Sequence, residues 1–543
     1  MRVPKEQDGI TVNAISGTYV VLLGFDIAAP KGLLGFAIHR QDLTENDARW
    51  IPNQRTFPGQ GAGKTLWPSN EAPLQKFRWS DYAAKPGHNY LYDVYAVYGT
   101  PGQLTLKGPV SVPISTESPK AIKHPDGTVH EIHFNRSGAA SQAYEAKFHD
   151  QSPQIVGKPA LDWLSRGLLE EMLAYIDRAQ SGDELHIAIY EFQLEDVLNR
   201  IKAAADRGVK VRVVYDAGSG ATAPRAENET AIAAAQLEQF VKPRANLASH
   251  ISHHKFMVLV SGGQPRAVWT GSTNMTFNAF YAQLNVGHAI DHQELARAYL
   301  DLHGALWDND PDLQDTRSFV EGHGPVSPPP GANTHFIFSP RTQEEAMEYY
   351  LQLMEGAQSM VVLTTPFGVD QRIADFLQAP SPIIKFGLAG NSRGADKIDF
   401  IDSVNGVFYT MPARIDSVLD KWQEEKFYNQ SHAYIHTKFL LIDPLGENPT
   451  MVSGSANFSK SSCVYNDEDM VVIFGHKAAA DVYFTEFMRM FDHYSFRHFR
   501  EQSGHAAPAL PLKTTDAWSR WYFTPGHERE KDRLVFSGHY KIT

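Results

Sequence analysis

Only one cysteine, Cys463, stands in the 543 residues. That excludes an internal disulfide framework and a cysteine-rich metal site, and it fits a reducing compartment. A lone cysteine of this kind is a small packing residue. The chain also lacks HExxH and paired cysteines, so its 23 histidines do not form a recognisable zinc signature. The opening residues, MRVPKEQDGITVNAISGTYVVLLGFDI, have no basic region leading into an uninterrupted apolar run, and no stretch is long and apolar enough to span a bilayer. This predicts a cytoplasmic protein without an integral membrane segment, although signal-independent export would leave no trace. Polybasic arms and basic amphipathic helices are missing as well. The formal net charge of −12 argues against a broad non-specific nucleic-acid surface but leaves room for a local basic cleft.

What is present is an ordinary globular composition, 42% hydrophobic, enough to bury more than one core and to suggest two to four domains. Residues 1–118 alternate apolar and polar positions in short runs such as TYVVLLGFDI, YLYDVYAVYG and QLTLKGPVSVPI, the pattern of a small antiparallel β-sandwich of immunoglobulin or fibronectin type. Inside it, GQGAGKT (59–65) imitates a phosphate-binding loop but fails on spacing, because Pro58 stands where the first glycine is required. It is read as a Gly-rich loop.

After a polar, irregular stretch the pattern becomes helical (164–180), strand-like (184–192), helical again up to Gly208, and strand-like in VKVRVVYDA. Such alternation predicts crossovers and a largely parallel sheet covered by helices. EEAMEYYLQLMEGAQ, SMVVLTTPFG, VDQRIADFLQA and PIIKFGLAG then repeat the plan in order. The Pro/Gly-rich linker 324–333 separates the two. The expected domains are therefore 1–118, a β module; 119–323, a first α/β half; and 334–543, a second half with a C-terminal extension.

The repeated halves carry repeated polar motifs. His253-His254-Lys255 opens the run FMVLV and is followed, after a turn, by VWTGSTN (268–274); His436-Thr437-Lys438 opens FLLID and is followed by TMVSGSAN (450–457). His and Lys two apart at a strand start share a face, and Gly-Ser-x-Asn closes the adjacent strand. One His-x-Lys is a weak pattern, usually a strand-edge pair; two in matching halves, each followed by Gly-Ser-x-Asn, are not coincidence. The combination suits attack on a phosphodiester. Lys255, Lys438, Asn274, Asn457 and the hydroxyls or backbone N–H groups of Ser272 and Ser455 would hold the phosphate without metal. Of two imidazoles, one attacks phosphorus and the other protonates the leaving oxygen and then activates water. The few carboxylates near the motifs do not supply a two-metal site, so neither a metal nor another cofactor is expected.

This pattern resembles the phospholipase D superfamily, with its His-x-Lys-x4-Asp followed by Gly-Ser-x-Asn, over roughly residues 135–535. FNRSGAASQAY (134–144), WTGSTN and WYFTPG further resemble a bacterial two-motif group within it. The resemblance implies duplicated α/β/α sandwich units in a pseudo-twofold arrangement, with His253, Lys255 and Asn274 facing His436, Lys438 and Asn457 in one cleft. It also implies a phosphohistidine mechanism with His253 as nucleophile and His436 as acid and base. Glu468, eleven residues after Asn457, stands where the superfamily often has a carboxylate that orients a catalytic histidine; Asn466 would support it. In the first half QLNVGHAI keeps Asn285, and Gly287 is aligned with Glu468.

The first copy also has Val260 where the second has Asp443. Asp443 ends an apolar strand, where a local structural hydrogen bond is at least as natural as chemistry, and the loss at Val260 points to packing. His254 should face away from His253 and act structurally.

The substrate stays open between classes. Phospholipid hydrolysis or headgroup transfer comes first. A nuclease follows, since Phe427, Tyr428 and Tyr434 could stack bases. A non-catalytic binding protein with a decayed first motif is third.

Overall fold

The computed structural model describes every residue except 61–65, 140, 150, 221–222, 246–250, 310, 391–400, 403–406, 412–421, 423–433, 503–510 and 541–543. The GAGKT part of the Gly-rich loop and two of the three aromatic candidates, Phe427 and Tyr428, therefore lie outside the described residues.

Residues 1–115 form two antiparallel four-stranded sheets. One runs in the order Arg2–Gln7, Ile10–Ser16, Val21–Ile27, Arg78–Asp81; the other, Gln103–Ser115, Asn89–Thr100, Gly35–Asp42, Asp47–Trp50. Their inward residues, among them Val12, Leu23, Phe25, Ile38, Tyr92 and Val112, share one apolar core. The far C-terminal segment completes it. Tyr522 enters the same core, Phe77 meets Trp518, Tyr522 and Phe523, and the helix Glu528–Ser537 lies on the Val21–Ile27 strand. Gly24 permits that contact, since a Cβ there would stand 2.1 Å from the Phe536 carbonyl oxygen.

The rest of the chain builds two eight-stranded sheets that share the order of seven strands, with an added edge strand at one end of the first, Ile122–Lys123, and at the other end of the second, Ile401–Asp402. The first is Ile122–Lys123, Val129–Phe134, Val286–Asp291, Gln264–Gly271, Lys255–Ser261, Glu184–Ile189, Lys210–Asp216, Val241–Arg244. The second is Thr334–Ser339, Glu468–Phe474, Thr450–Gly454, Phe439–Ile442, Met360–Thr365, Ile384–Ala389, Val407–Thr410, Ile401–Asp402.

Neither sheet is largely parallel, contrary to the sequence expectation. The Glu184–Ile189, Lys210–Asp216 and Val241–Arg244 strands are mutually parallel, but the His-x-Lys strand and its successors pair antiparallel. The cause is local: a tight turn at Gly262 and Gly263, both at positive φ, sends the chain straight back and leaves no room for a crossover helix. A second difference lies in the stretch read as irregular, which contains Val129–Phe134, paired to Val286–Asp291. The helix expected over 164–180 is broken by Arg166 and Gly167, both at positive φ, and resumes over Leu168–Asp177.

The apolar runs are continuous because both faces of each sheet are covered. Phe256, Val258 and Val260 enter a core shared by both halves with Phe439, Leu441, Val471 and Tyr483, while Met257 and Leu259 face the outer helices Leu168–Asp177 and Glu195–Asp206. Leu440 and Ile442 do the same beneath Glu345–Glu355 and Gln371–Gln378. Cys463 is buried in that outer core, and burial pushes its thiol up to about 12. No helix among the described residues is long and apolar enough to cross a membrane.

Candidate active site

Two short parallel bridges join the halves at the ends of their sheets, Ser252 with Asp467 and Leu284 with Ile435. They are reciprocal. The His253 amide donates to the Asp467 carbonyl (2.9 Å), and the His436 amide donates to the Leu284 carbonyl (2.9 Å). Each histidine is thus delivered into the site beside the last strand of the other half.

The side chains follow the same crossed wiring. His253 Nδ1 lies 2.8 Å from Glu468 Oε2, and a carboxylate can only accept, so Nδ1 carries the proton and Nε2 is left for chemistry. His436 Nδ1 donates to the Asn285 amide oxygen (2.9 Å) and the Ser272 carbonyl (3.0 Å), which fixes the same tautomer with neutral partners. Lys255 and Lys438 each return a hydrogen bond of 2.8 Å to the carbonyl of the histidine two residues before. All four side chains are at most 4% exposed.

Ser272 and Ser455 do not present their hydroxyls to a phosphate, as the sequence suggested. Ser272 donates to Asn285 Oδ1 (2.8 Å) and Ser455 to Glu468 Oε2 (2.6 Å), so each hydroxyl proton is already committed to the group that holds a histidine. The glycine before each serine lets the neighbouring strand approach. A Cβ on Gly271 would stand 2.3 Å from the Val286 carbonyl oxygen, and one on Gly454 2.2 Å from that of Asp469.

These pairs also correct the alignment of the halves. Gly271 pairs with Gly287 and Gly454 with Met470, so Asn285, not Gly287, is the counterpart of Glu468. Gly287 is instead glycine because a Cβ would meet the Trp269 ring at 2.3 Å. Asn466 donates weakly to Glu468 (3.4 Å).

Asp443 is spent on the fold. At φ 46° its carboxylate accepts from the amides of Gln358, Ser359 and Met360 and from the Ser359 hydroxyl, pinning the start of the neighbouring strand. In the first half Asp183, before the Glu184–Ile189 strand, accepts from the amides of Gln180 and Gly262, and Val260 packs into the shared core. His254 contacts Asp469 (3.2 Å), whose other oxygen accepts from Thr270 (2.6 Å) and Tyr299 (3.2 Å).

Sequence reasoning missed three contributors. Glu191, two residues beyond the Glu184–Ile189 strand, accepts a hydrogen bond from the Asn274 amide; the equivalent place in the second half holds Phe367, whose ring lies 6.2 Å from that of His436. Tyr190 packs 5.2 Å from the His253 ring and beneath the Lys255 ammonium. Asn135 takes the Asn285 amide on its side-chain oxygen (2.9 Å) and gives its NH2 to the carbonyls of Ala279, Phe280 and Gln283. It thereby shapes the loop that carries Asn285, which explains the FNRSG run. A carboxylate just past a buried strand was the available signal for Glu191.

Burial dominates the electrostatics. It lowers His253 to about 4 against the pull of Glu468, so the imidazole is neutral near pH 7. It lowers Lys255 to about 8. His436 and Lys438 are pushed well below their ordinary values by burial and by the neighbouring lysine charges. Burial pushes Glu468 up, but His253, Lys255 and Ser455 hold it below the usual range. Glu191 is raised by burial against Lys255, Asn274 and Lys438.

Two imidazoles with their Nδ1 atoms tied back and the two lysines beside them, gathered where paired α/β sheets meet, define a phospholipase D-like protein. Family comparison agrees: the model described as cardiolipin synthase, PLD-like domain, matches residues 172–307 and 396–491, which contain both motifs. The chain belongs to the phospholipase D superfamily. No curated protein matches it. Similar solved structures include polyphosphate kinase from Porphyromonas gingivalis (13% identity, 58% of this chain and 43% of that one, TM-score 0.37). Phosphatidylserine synthase from Haemophilus influenzae shares 13% identity over 62% of this chain and 88% of that one, with a TM-score of 0.44. The phospholipase D family member Nuc from Salmonella typhimurium shares 21% over 33% and 95%, with a TM-score of 0.23. The chain spans less than half the length of the polyphosphate kinase.

Proposed function

We propose that the protein is a metal-independent phosphodiesterase working through a phosphohistidine, with His253 as nucleophile and His436 as acid and base. The observation that carries this reading is the unequal support of the two rings. Attack by His253 Nε2 on phosphorus makes its imidazole cationic, and Glu468 at Nδ1 stabilises that charge. His436, backed only by neutral oxygens, is a stronger acid once protonated and suits delivery of a proton to the leaving oxygen. The negative phosphate, once bound, favours that protonated form. Nε2–P bond formation breaks the bond from phosphorus to the leaving oxygen, which takes the His436 proton. His436 Nε2 then removes a proton from water or an acceptor alcohol, whose oxygen attacks phosphorus and breaks the P–N bond. Lys255, Lys438, Asn274 and Asn457 stabilise the non-bridging oxygens.

The preferred substrate is a phospholipid, by headgroup hydrolysis or transfer. A base-stacking role finds no support at Tyr434, which is partly buried against the cores of both halves and gives its carbonyl to Leu284. The reciprocal bridges and the order of seven strands common to both sheets support a pseudo-twofold arrangement of halves 119–323 and 334–543 around linker 324–333, and the paired four-stranded sheets an immunoglobulin- or fibronectin-like module over 1–118.

The test incubates purified protein, with EDTA, with mixed phospholipid vesicles and with single- and double-stranded DNA and RNA. Headgroup release lost in both H253A and H436A supports the reading. Cleavage of nucleic acid instead would assign a nuclease, and turnover surviving both substitutions would end the mechanism.

A further inference from the structure

A second cluster of chemistry-bearing groups lies on the outer face of the first sheet, away from the His-Lys cleft. Glu131 and His133 are two apart in Val129–Phe134, so they leave the sheet on one face, and Glu171 in the first turn of Leu168–Asp177 lies over them. One nitrogen of His133 and one carboxylate oxygen from each glutamate lie within 4.8 Å of one another. No other such trio of potential ligands occurs among the described residues.

Two independent observations indicate a missing partner. His133 is 2% exposed, stacks parallel to the Trp269 ring, and has a buried Nε2 without a hydrogen-bond partner. An unmet buried polar atom is costly, so it calls for an occupant. The Glu131 carboxylate makes no hydrogen bond or ion pair with any described residue, and the nearest cations hold other carboxylates. Arg178 grips both oxygens of Asp291 at 2.8 Å, and Lys120 pairs with Glu171 at 2.7 Å.

We propose that Glu131, His133 and Glu171 bind a borderline transition-metal cation of the Zn2+ type, which pins the Leu168–Asp177 helix to the sheet. One imidazole and two carboxylates form a donor set for Zn2+, Mn2+ or Co2+, whereas Ca2+ and Mg2+ prefer oxygen alone. Bonds of about 2.0–2.2 Å bring tetrahedral ligand atoms to roughly 3.4 Å from one another. The partly exposed glutamates close that gap by side-chain rotation, and Glu171 exchanges Lys120 for the metal. Glu131 pairs with Ala289, four residues along from Asn285, so the role is structural and independent of the phosphodiesterase reading.

The experiment titrates ZnCl2 into the EDTA-treated, desalted full chain, measuring stoichiometry by equilibrium dialysis and thermal stability in parallel. Wild type takes up one tight equivalent and its Tm rises. E131Q and E171Q, at partly exposed positions that leave the fold intact, lose both the equivalent and the shift. K120M removes the competing ammonium and tightens binding by up to about fivefold, the range of an exposed ion pair. Uptake unchanged in the E131Q/E171Q double variant would assign the metal to other histidines and overturn the proposal, as would the absence of a stoichiometric equivalent in wild type.

Discussion

His253 Nδ1 meets Glu468 Oε2 at 2.8 Å across 215 residues of chain, so the first motif's histidine is oriented by the second half. The second motif's histidine is oriented by Asn285 of the first half. The halves differ at this point in charge and agree in geometry.

Glu468 acts through His253, and its removal should appear first in the pH profile. E468Q is expected to keep the hydrogen bond, lower kcat by about 10²–10⁴-fold, and leave KM little changed. In N285D a carboxylate at His436 should shift the ionisation of kcat that belongs to the acid upward. Steady-state kinetics across pH on both variants provides the check; profiles identical to wild type would refute the assignment.

Lys255 and His253 set opposite limits on activity. With His253 near 4, its imidazole protonates only in acid, where kcat/KM falls. With Lys255 near 8, the ammonium loses its proton as pH rises through that value, and phosphate affinity falls with it. An acid limb near 4 is expected, and in K255R, where the guanidinium stays charged, the loss of phosphate affinity as pH rises through about 8 should vanish.

Arg244 and Asp467 form an ion pair between the halves with both side chains fully buried, at 3.0 Å. Removing one partner strands a buried charge, so R244M or D467N should cost about 3–5 kcal/mol. Replacing both with apolar residues should recover much of it. Urea unfolding of the single and double variants measures the difference.

Asp443 and Val260 hold equivalent places with different work. D443A deprives three amides and a hydroxyl of their acceptor and should cost about 1–3 kcal/mol, with kcat per folded molecule unchanged. V260D buries a carboxylate in the shared core and should destabilise the chain without raising activity. Denaturation midpoints beside active-site titration separate the two effects.

The His-x-Lys and Gly-Ser-x-Asn motifs were legible because their chemistry demands particular residue types at fixed short spacing, and the repeated helices and strands because apolar periodicity is local. Val129–Phe134 was not, since VHEIHF alternates with histidine and glutamate on a face that only a distant helix covers. The pairing of Asn285 with Glu468 was miscounted because an Asn also precedes Glu468 by two, at Asn466, and only sheet register tells the two asparagines apart. The duty of Ser272 and Ser455 depended on that same register. Glu191 offers only the weak signal of a carboxylate just past a buried strand, and its meaning arises where the strand ends meet in space.

Arg533 reaches Asp26 across 507 positions, and the Asn13 amide caps the Phe536 carbonyl. During synthesis the β strands of residues 1–115 leave the ribosome before the two α/β halves, while the helix that covers them emerges after those halves. Until then the Phe77 edge of their core is bare, and both α/β halves must be made in the interval. A part of the molecule that is translated before both halves is therefore finished only after them.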